Sequence, residues 1–88
     1  MLATILILDI IQLKDKKMKN FEIKQLQDYL NQKFNTEEFI LKERKSIDDS
    51  CEVYLGKEFL GLVYKEEDDG EIAFQFHMTI LSEDLLNS

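Results

Sequence analysis

Three strand-like runs joined by two glycine turns constrain the fold of this chain more than any other feature. Residues 51–57 (CEVYLGK) lead into residues 58–64 (EFLGLVY), and the turn Asp68-Asp69-Gly70 leads into residues 71–80 (EIAFQFHMTI). Strand side chains alternate between two faces, and glycine between two such runs supplies the positive φ that a tight hairpin demands. The segment therefore specifies a small antiparallel sheet. It carries no recognisable catalytic set.

The rest of the chain supplies a cover for that sheet. Asn20 fits a helix cap, and Ile23, Leu26, Leu30 and Phe34 then recur at helical spacing, flanked by Phe21 and Tyr29. The helix is expected to end near Asn35, where Asn35 and Thr36 break the stripe. Residues 39–45 read as a first strand whose outer half is charged, as suits an edge. Residues 46–50 form a polar turn, and Ser82 caps a short helical turn over residues 83–86. The fold class is α+β, one N-terminal helix packed on a four-stranded antiparallel meander with a short C-terminal helical turn.

The turns can be tested against the core, because a slip of one residue moves every side chain to the other face. A two-residue Gly56-Lys57 turn pairs Val53 with Leu60 and Cys51 with Leu62 on one apolar face. A two-residue Asp69-Gly70 turn would then set Leu62 against His77 and Leu60 against Thr79. A three-residue loop of Asp68, Asp69 and Gly70 sets Tyr64 against Phe74, Leu62 against Phe76 and Leu60 against Met78, and is the expected form. The core face then holds Val53, Leu55, Leu60, Leu62, Phe74, Phe76 and Met78. The opposite face carries Glu52, Tyr54, Phe59, Gly61, Val63, Gln75, His77 and Thr79, with Gly61 beside the His77 ring as a notch. Tyr54, Phe59, Gly61, Gln75 and His77 are the candidate partner-binding residues on that free face.

In a meander, the loop at residues 46–50 and the loop at residues 65–70 lie at one end of the sheet, roughly 10 Å apart. Asp48, Asp49, Glu66, Glu67, Asp68 and Asp69 are thus expected to gather as an acidic pole. Such a pole suits a basic partner or a weakly held divalent cation, although it lacks the ligand spacing of a calcium loop. A solvated, solubilising charge run is the plain alternative.

Charge narrows the partners. With 18 acidic and 11 basic residues the formal charge is -7, which repels phosphate backbones and argues against nucleic acid. The chain has 88 residues, enough for one domain with a small core, which a covering partner would help. One cysteine forms no internal disulfide, no Cys/His spacing suggests zinc, and a reducing cytoplasm fits. Cys51 falls on the expected core face, where a thiol acts as a small hydrophobe. His77 is the lone histidine, without a sequence-near carboxylate or nucleophile to complete a catalytic set, and neither glycine turn opens a helix as a phosphate loop must. No cofactor is expected.

Residues 1–13 are apolar but too short for a membrane span, and Asp9 and Gln12 interrupt them. Lys14, Lys16 and Lys17 follow the stretch rather than precede it, unlike a secretory leader. The alternatives are a membrane-surface anchor, a packing arm, or residues outside the natural protein, with Met18 as its start. The domain division is 1–17 as an N-terminal extension and 18–88 as a single α+β domain.

From Met18 to Leu85 the chain resembles a small alphaproteobacterial family of unknown function. The resemblance rests on the helix core Leu26-x-x-Tyr29-Leu30, the turn Asp48-Asp49-Ser50, Glu52-Val53-Tyr54-Leu55-Gly56, Glu58-Phe59-Leu60-Gly61 and the acidic turn before Gly70. It implies a stand-alone cytoplasmic domain and carries over no catalytic residue. Three classes follow: a non-enzymatic binding module using the free face or acidic pole, a homo-oligomeric assembly element, and, least favoured, an enzyme or metal-binding protein using His77.

Overall fold

The structure, a computed structural model, describes residues 17–86. The expectations for the apolar stretch at residues 1–13 lie outside the described residues. Helix α1 spans Asn20–Lys33. Lys19, one residue earlier than expected, stands at the N-cap, and its backbone N–H donates to Glu22 Oε1 at 2.9 Å, the acidic half of a capping box. The helix closes in a Schellman motif. Asn35, at φ 54°, donates its N–H to the Gln32 carbonyl at 3.3 Å, and Thr36 donates to the Asn31 carbonyl at 2.9 Å. Of the apolar stripe, Ile23 and Leu30 are buried and Leu26 partly so, while Phe34 at the C-cap remains exposed against the Phe39 ring, centroids 5.4 Å apart.

Strands β1 (Phe39–Glu43), β2 (Ser50–Leu55), β3 (Glu58–Asp68) and β4 (Glu71–Met78) form one sheet in the order β1-β2-β3-β4, each pair antiparallel. A short helix α2, Ser82–Leu86, follows. This is the α+β meander read from the sequence. The register differs from expectation in one strand. The Gly56-Lys57 turn closes on Leu55–Glu58 and Tyr54–Phe59 pairs, with Gly56 at φ 62°. A β-bulge then intervenes: Val53 pairs with Gly61, Leu60 is left over, and Cys51 pairs with Val63.

The expected three-residue loop at the other end of β3 is not formed. Asp68 pairs with Glu71 across a two-residue turn whose Asp69 and Gly70 both have positive φ, 52° and 81°, the signature of a type I′ hairpin. Leu62 therefore pairs with His77, the arrangement that looks unfavourable only if Leu62 faces the core. The one-residue offset exists, but it sits at Leu60 and not in the loop. Strands β2 and β4 keep their expected faces, and β3 beyond the bulge is turned over: Val63 is buried in the core, and Leu62 and Tyr64 belong to the outer face.

The core comprises Cys51 and Val53, both fully buried, with Val63, Leu60, Phe39, Leu41, Ile23, Leu30 and Met18 around them. Turning β3 over also sends Lys65 to the inner face, where its Nζ lies 3.0 Å from Glu22 Oε2 and donates to the Lys17 carbonyl at 3.2 Å. Both side chains of this ion pair are nearly buried, and Glu22 holds the helix start as well. The helix sits over β1. Asn31 Oδ1 accepts the Phe39 N–H at 2.8 Å, Asn31 Nδ2 donates to the Phe39 carbonyl at 3.2 Å, and Gln27 Oε1 accepts the Leu41 N–H at 3.0 Å. These bonds cap the outer edge of β1. On the inner face of β4, Ile72 and Met78 remain 52% and 53% exposed.

Candidate functional site: the outer face of the sheet

The pairing places four side chains in a row across the outer face, Lys42 beside Glu52, Glu52 beside Leu62, and Leu62 beside His77. The next rows are Ile40, Tyr54 and Phe59 toward the Gly56 turn, and Ser50, Tyr64 and Gln75 toward the opposite end. Among the described residues no element covers this face. Tyr54 and Phe59, cross-strand neighbours, meet edge to face with centroids 5.5 Å apart and planes at 72°. Tyr64 and His77 do the same at 5.2 Å and 77°. Aromatic rings favour this arrangement because a positive ring edge meets a negative ring face.

Tyr54 is the most connected of these groups. Lys42 Nζ stands 4.8 Å from its ring centroid, and its hydroxyl donates to Glu52 Oε1 at 3.1 Å. That hydrogen bond to a carboxylate, with burial and the Glu52 charge adding to it, raises the phenol pKa above its ordinary value. The phenol is held as a neutral donor, with its ring fixed by Lys42 above and Phe59 beside it. His77 has an aromatic neighbour and an apolar one, Tyr64 and Leu62.

Four of the five residues read from the sequence as a partner surface, Tyr54, Phe59, Gln75 and His77, share this outer face. Gly61 does not. It is buried on the inner side and pairs with Met78, and a Cβ there would overlap the His77 carbonyl oxygen, 2.9 Å from the His77 carbonyl carbon and 3.0 Å from the Met78 Cα. The glycine is required by close backbone approach beside the bulge, and it is no notch for a partner. Leu62 and Tyr64 are the outer-face residues that sequence reasoning assigned to the core; the Asp69-Gly70 dipeptide, the strongest short hairpin signal, carried the information that would have found them.

The acidic residues lie at one end of the sheet but are spread along it. The carbonyls of Asp48 and Asp49 accept the Met18 and Lys65 N–H groups, so this loop is tied to the body of the domain. The β3–β4 hairpin runs on past the last β2 pair, Ser50 with Tyr64. Asp69, five residues farther along, thus stands roughly 17 Å beyond that pair at about 3.4 Å per residue. Glu66 and Asp68 share the outer face with Tyr64, Glu67 points to the inner one, and Asp69 forms the turn. Asp49, Tyr64, Glu66, Asp68 and His77 line a shallow depression where the aromatic and acidic parts meet. Among the described residues no three His, Cys, Asp or Glu side chains come together as metal ligands. Cys51 is buried in the core, and burial pushes its thiol up to about 11 despite a hydrogen bond from the Val63 backbone.

A family model described as a protein of unknown function, DUF3126, matches residues 22–84. That span contains all but the first two residues of α1, the whole sheet and most of α2. No match is found among curated proteins, and none among solved structures. Among the described residues no helix is long and apolar enough to cross a membrane.

Proposed function

The chain belongs to the DUF3126 family of proteins of unknown function, and from that premise we propose that it is a small non-enzymatic protein-binding module whose partner docks on the outer sheet face. The observation that carries this reading is the pair of edge-to-face ring contacts, Tyr54 with Phe59 and Tyr64 with His77, flanking Leu62 on a face that no described element covers. Pre-positioned aromatic side chains give large contact area at small entropic cost, which is why they dominate binding hot spots. Glu66 and Asp68 continue the same face toward the hairpin tip. The partner surface is therefore an apolar anchor for the aromatic part, flanked by Lys or Arg for the acidic part. A cytoplasmic site accords with the single buried thiol.

The test is photo-crosslinking in the native cell, with a benzophenone amino acid at Phe59 or at Tyr29 on the exposed helix surface. Crosslinks to one defined partner from Phe59 and none from Tyr29 are expected. The double variant Tyr54→Ala, Phe59→Ala should weaken that purified partner's binding by about 30-fold or more while its melt shows a folded domain. Equal crosslinking from both sites, or unchanged affinity of the folded double variant, would refute the reading.

A further inference from the structure

The two edges of the sheet are not equivalent. At β1 the outward N–H and C=O of Phe39 and the outward N–H of Leu41 are bonded by Asn31 and Gln27 of the helix, so the first half of that edge is occupied. At β4 nothing comparable exists among the described residues. Thr79 N–H donates to the Leu60 carbonyl at 3.2 Å, and the two-residue turn closes on Asp68 and Glu71. Antiparallel pairing alternates, so Glu71, Ala73, Gln75 and His77 spend their N–H and C=O groups on β3, while those of Ile72, Phe74, Phe76 and Met78 point outward. The strand contains no proline and no lysine, and it places no charge on its inner face, so it lacks the devices that keep edges apart.

We propose that β4 pairs antiparallel with β4 of a second copy of this chain, joining two four-stranded sheets into one of eight strands with both helices on the same side. The sequence of β4 is self-complementary in one register. Bonded pairs must join outward-pointing residues, and the two-fold axis that uses the whole strand passes through Gln75. Phe74 then faces the second copy's Phe76, Ile72 faces the second copy's Met78, and each pair occurs twice. On the outer side Gln75 faces its own symmetry mate, Ala73 faces the second copy's His77, and Glu71 faces the second copy's Thr79. No like charges meet, which matters for a chain of formal charge -7. Sliding the axis to Phe74 or to Phe76 leaves an end residue, Met78 or Ile72, outside the pairing.

The inner face gives the second reason. Ile72 and Met78 are about half exposed and Phe74 and Phe76 are only partly buried, because α1 lies over the far side of the sheet. A second copy brings an identical stripe alongside, and cross-strand Phe–Phe and Ile–Met pairs bury part of the surface that the helix leaves open. The surface differs from the outer face assigned to a protein partner, so the two readings fail separately.

The test begins with sedimentation of the full chain across concentrations up to about 100 µM, where a concentration-dependent dimer is expected. Gln75→Cys puts two thiols across the axis in a non-bonded pair, with Cα atoms about 4.5 Å apart, a separation a disulfide spans. Mild oxidation should yield a covalent dimer with Gln75→Cys and none with Ala73→Cys, whose opposite residue is His77. Ile72→Lys should abolish the dimer, and adding Met78→Glu should restore it through two cross-copy ion pairs, leaving the Phe59 crosslinks of the preceding section untouched. A full-length monomer at every concentration would overturn the proposal. So would equal crosslinking by Ala73→Cys and Gln75→Cys. A monomer whose Phe74 and Phe76 amides resist hydrogen exchange would assign the edge to another segment of the same chain, and would overturn it as well.

Discussion

Gly61→Ala tests the register at the point where it departs from a simple meander. At an unobstructed strand position the substitution would stabilise by about 0.4–1 kcal/mol, because alanine narrows the unfolded ensemble. Here the added methyl would overlap the His77 carbonyl oxygen and lie 2.9 Å and 3.0 Å from the His77 carbonyl carbon and Met78 Cα. These are backbone atoms, so no side-chain rotation relieves the overlap. The β3–β4 ladder must part by roughly an ångström, at a cost of about 1–3 kcal/mol for overpacking and about 0.5–1.5 kcal/mol for each of the two hydrogen bonds between Leu62 and His77. The sum is about 2–6 kcal/mol, or a melting temperature lower by roughly 10–40 °C in a domain of this size. Urea denaturation followed by far-UV circular dichroism measures it, with Val63→Ala and Leu62→Ala alongside. Val63→Ala should cost about 1–3 kcal/mol as a core truncation, and Leu62→Ala, on the half-buried outer face, less. A neutral or stabilising Gly61→Ala, or a Leu62→Ala more damaging than Val63→Ala, would refute the bulge at Leu60.

Lys65→Ala leaves Glu22 nearly buried without its cation and should cost about 3–5 kcal/mol by chemical denaturation, whereas Lys65→Met with Glu22→Leu should recover part of it, less the bond that Glu22 makes to the Lys19 N–H; no loss in Lys65→Ala would show the pair to be inert. Asn31→Ala strips the partners from the Phe39 N–H and carbonyl and should cost about 1–3 kcal/mol, read in the same assay. Cys51 should resist iodoacetamide at pH 8 until the domain unfolds, since its thiol pKa is pushed up to about 11. Its folded pKa lies above the ordinary 9.0, so the folded state holds this proton more tightly. The stabilisation is complete below pH 9 and disappears between about pH 9 and 11, a loss of roughly 2–3 kcal/mol that Cys51→Ala should flatten in stability measured against pH.

The elements were legible because each is specified locally. The Ile23, Leu26, Leu30 spacing marks α1, and Gly56 and Gly70 mark the turns. The face of β3 was not, because a bulge leaves almost no local trace: Leu60 and Gly61 fit an uninterrupted strand as well as a bulged one. The apolar run Leu60, Leu62 and Tyr64 even favours the wrong parity, since it makes a better core on paper than Gly61, Val63 and Lys65. Beyond the Asp69-Gly70 turn, what decides for the second set is non-local. Gly61 admits the His77 backbone, and Lys65 finds Glu22 at the start of a helix 43 residues earlier in the chain. The outer-face residues Tyr54, Phe59, Gln75 and His77 were legible because two one-residue displacements, one real at Leu60 and one wrongly placed in the loop, have the same effect on β2 relative to β4.

A limit of size explains why this domain leaves so much apolar surface uncovered. Four strands at about 4.8 Å spacing make a sheet some 15–20 Å wide, whereas one helix with its side chains is about 10–12 Å across. A single helix therefore leaves part of the inner face open, and the chain must choose which side. The bonds from Asn31 and Gln27 to Phe39 and Leu41 hold α1 over β1, so that part of this edge is occupied and its side of the face is filled. The same choice leaves Ile72, Phe74, Phe76 and Met78 under-covered beside an edge with free backbone groups. Moving the helix toward β4 would merely open β1. The proposed pairing at β4 would reduce the deficit without moving α1, because each copy would lay its strands beside the other's. It also leaves both outer faces free, so two Tyr54–Phe59 surfaces would be displayed on one continuous sheet, and a partner with two suitable anchors would bind the dimer more tightly than the Ile72→Lys monomer by the effective concentration of the second site. Titrating such a bivalent partner against dimer and monomer measures that ratio, and equal affinities would show that the two surfaces do not act together.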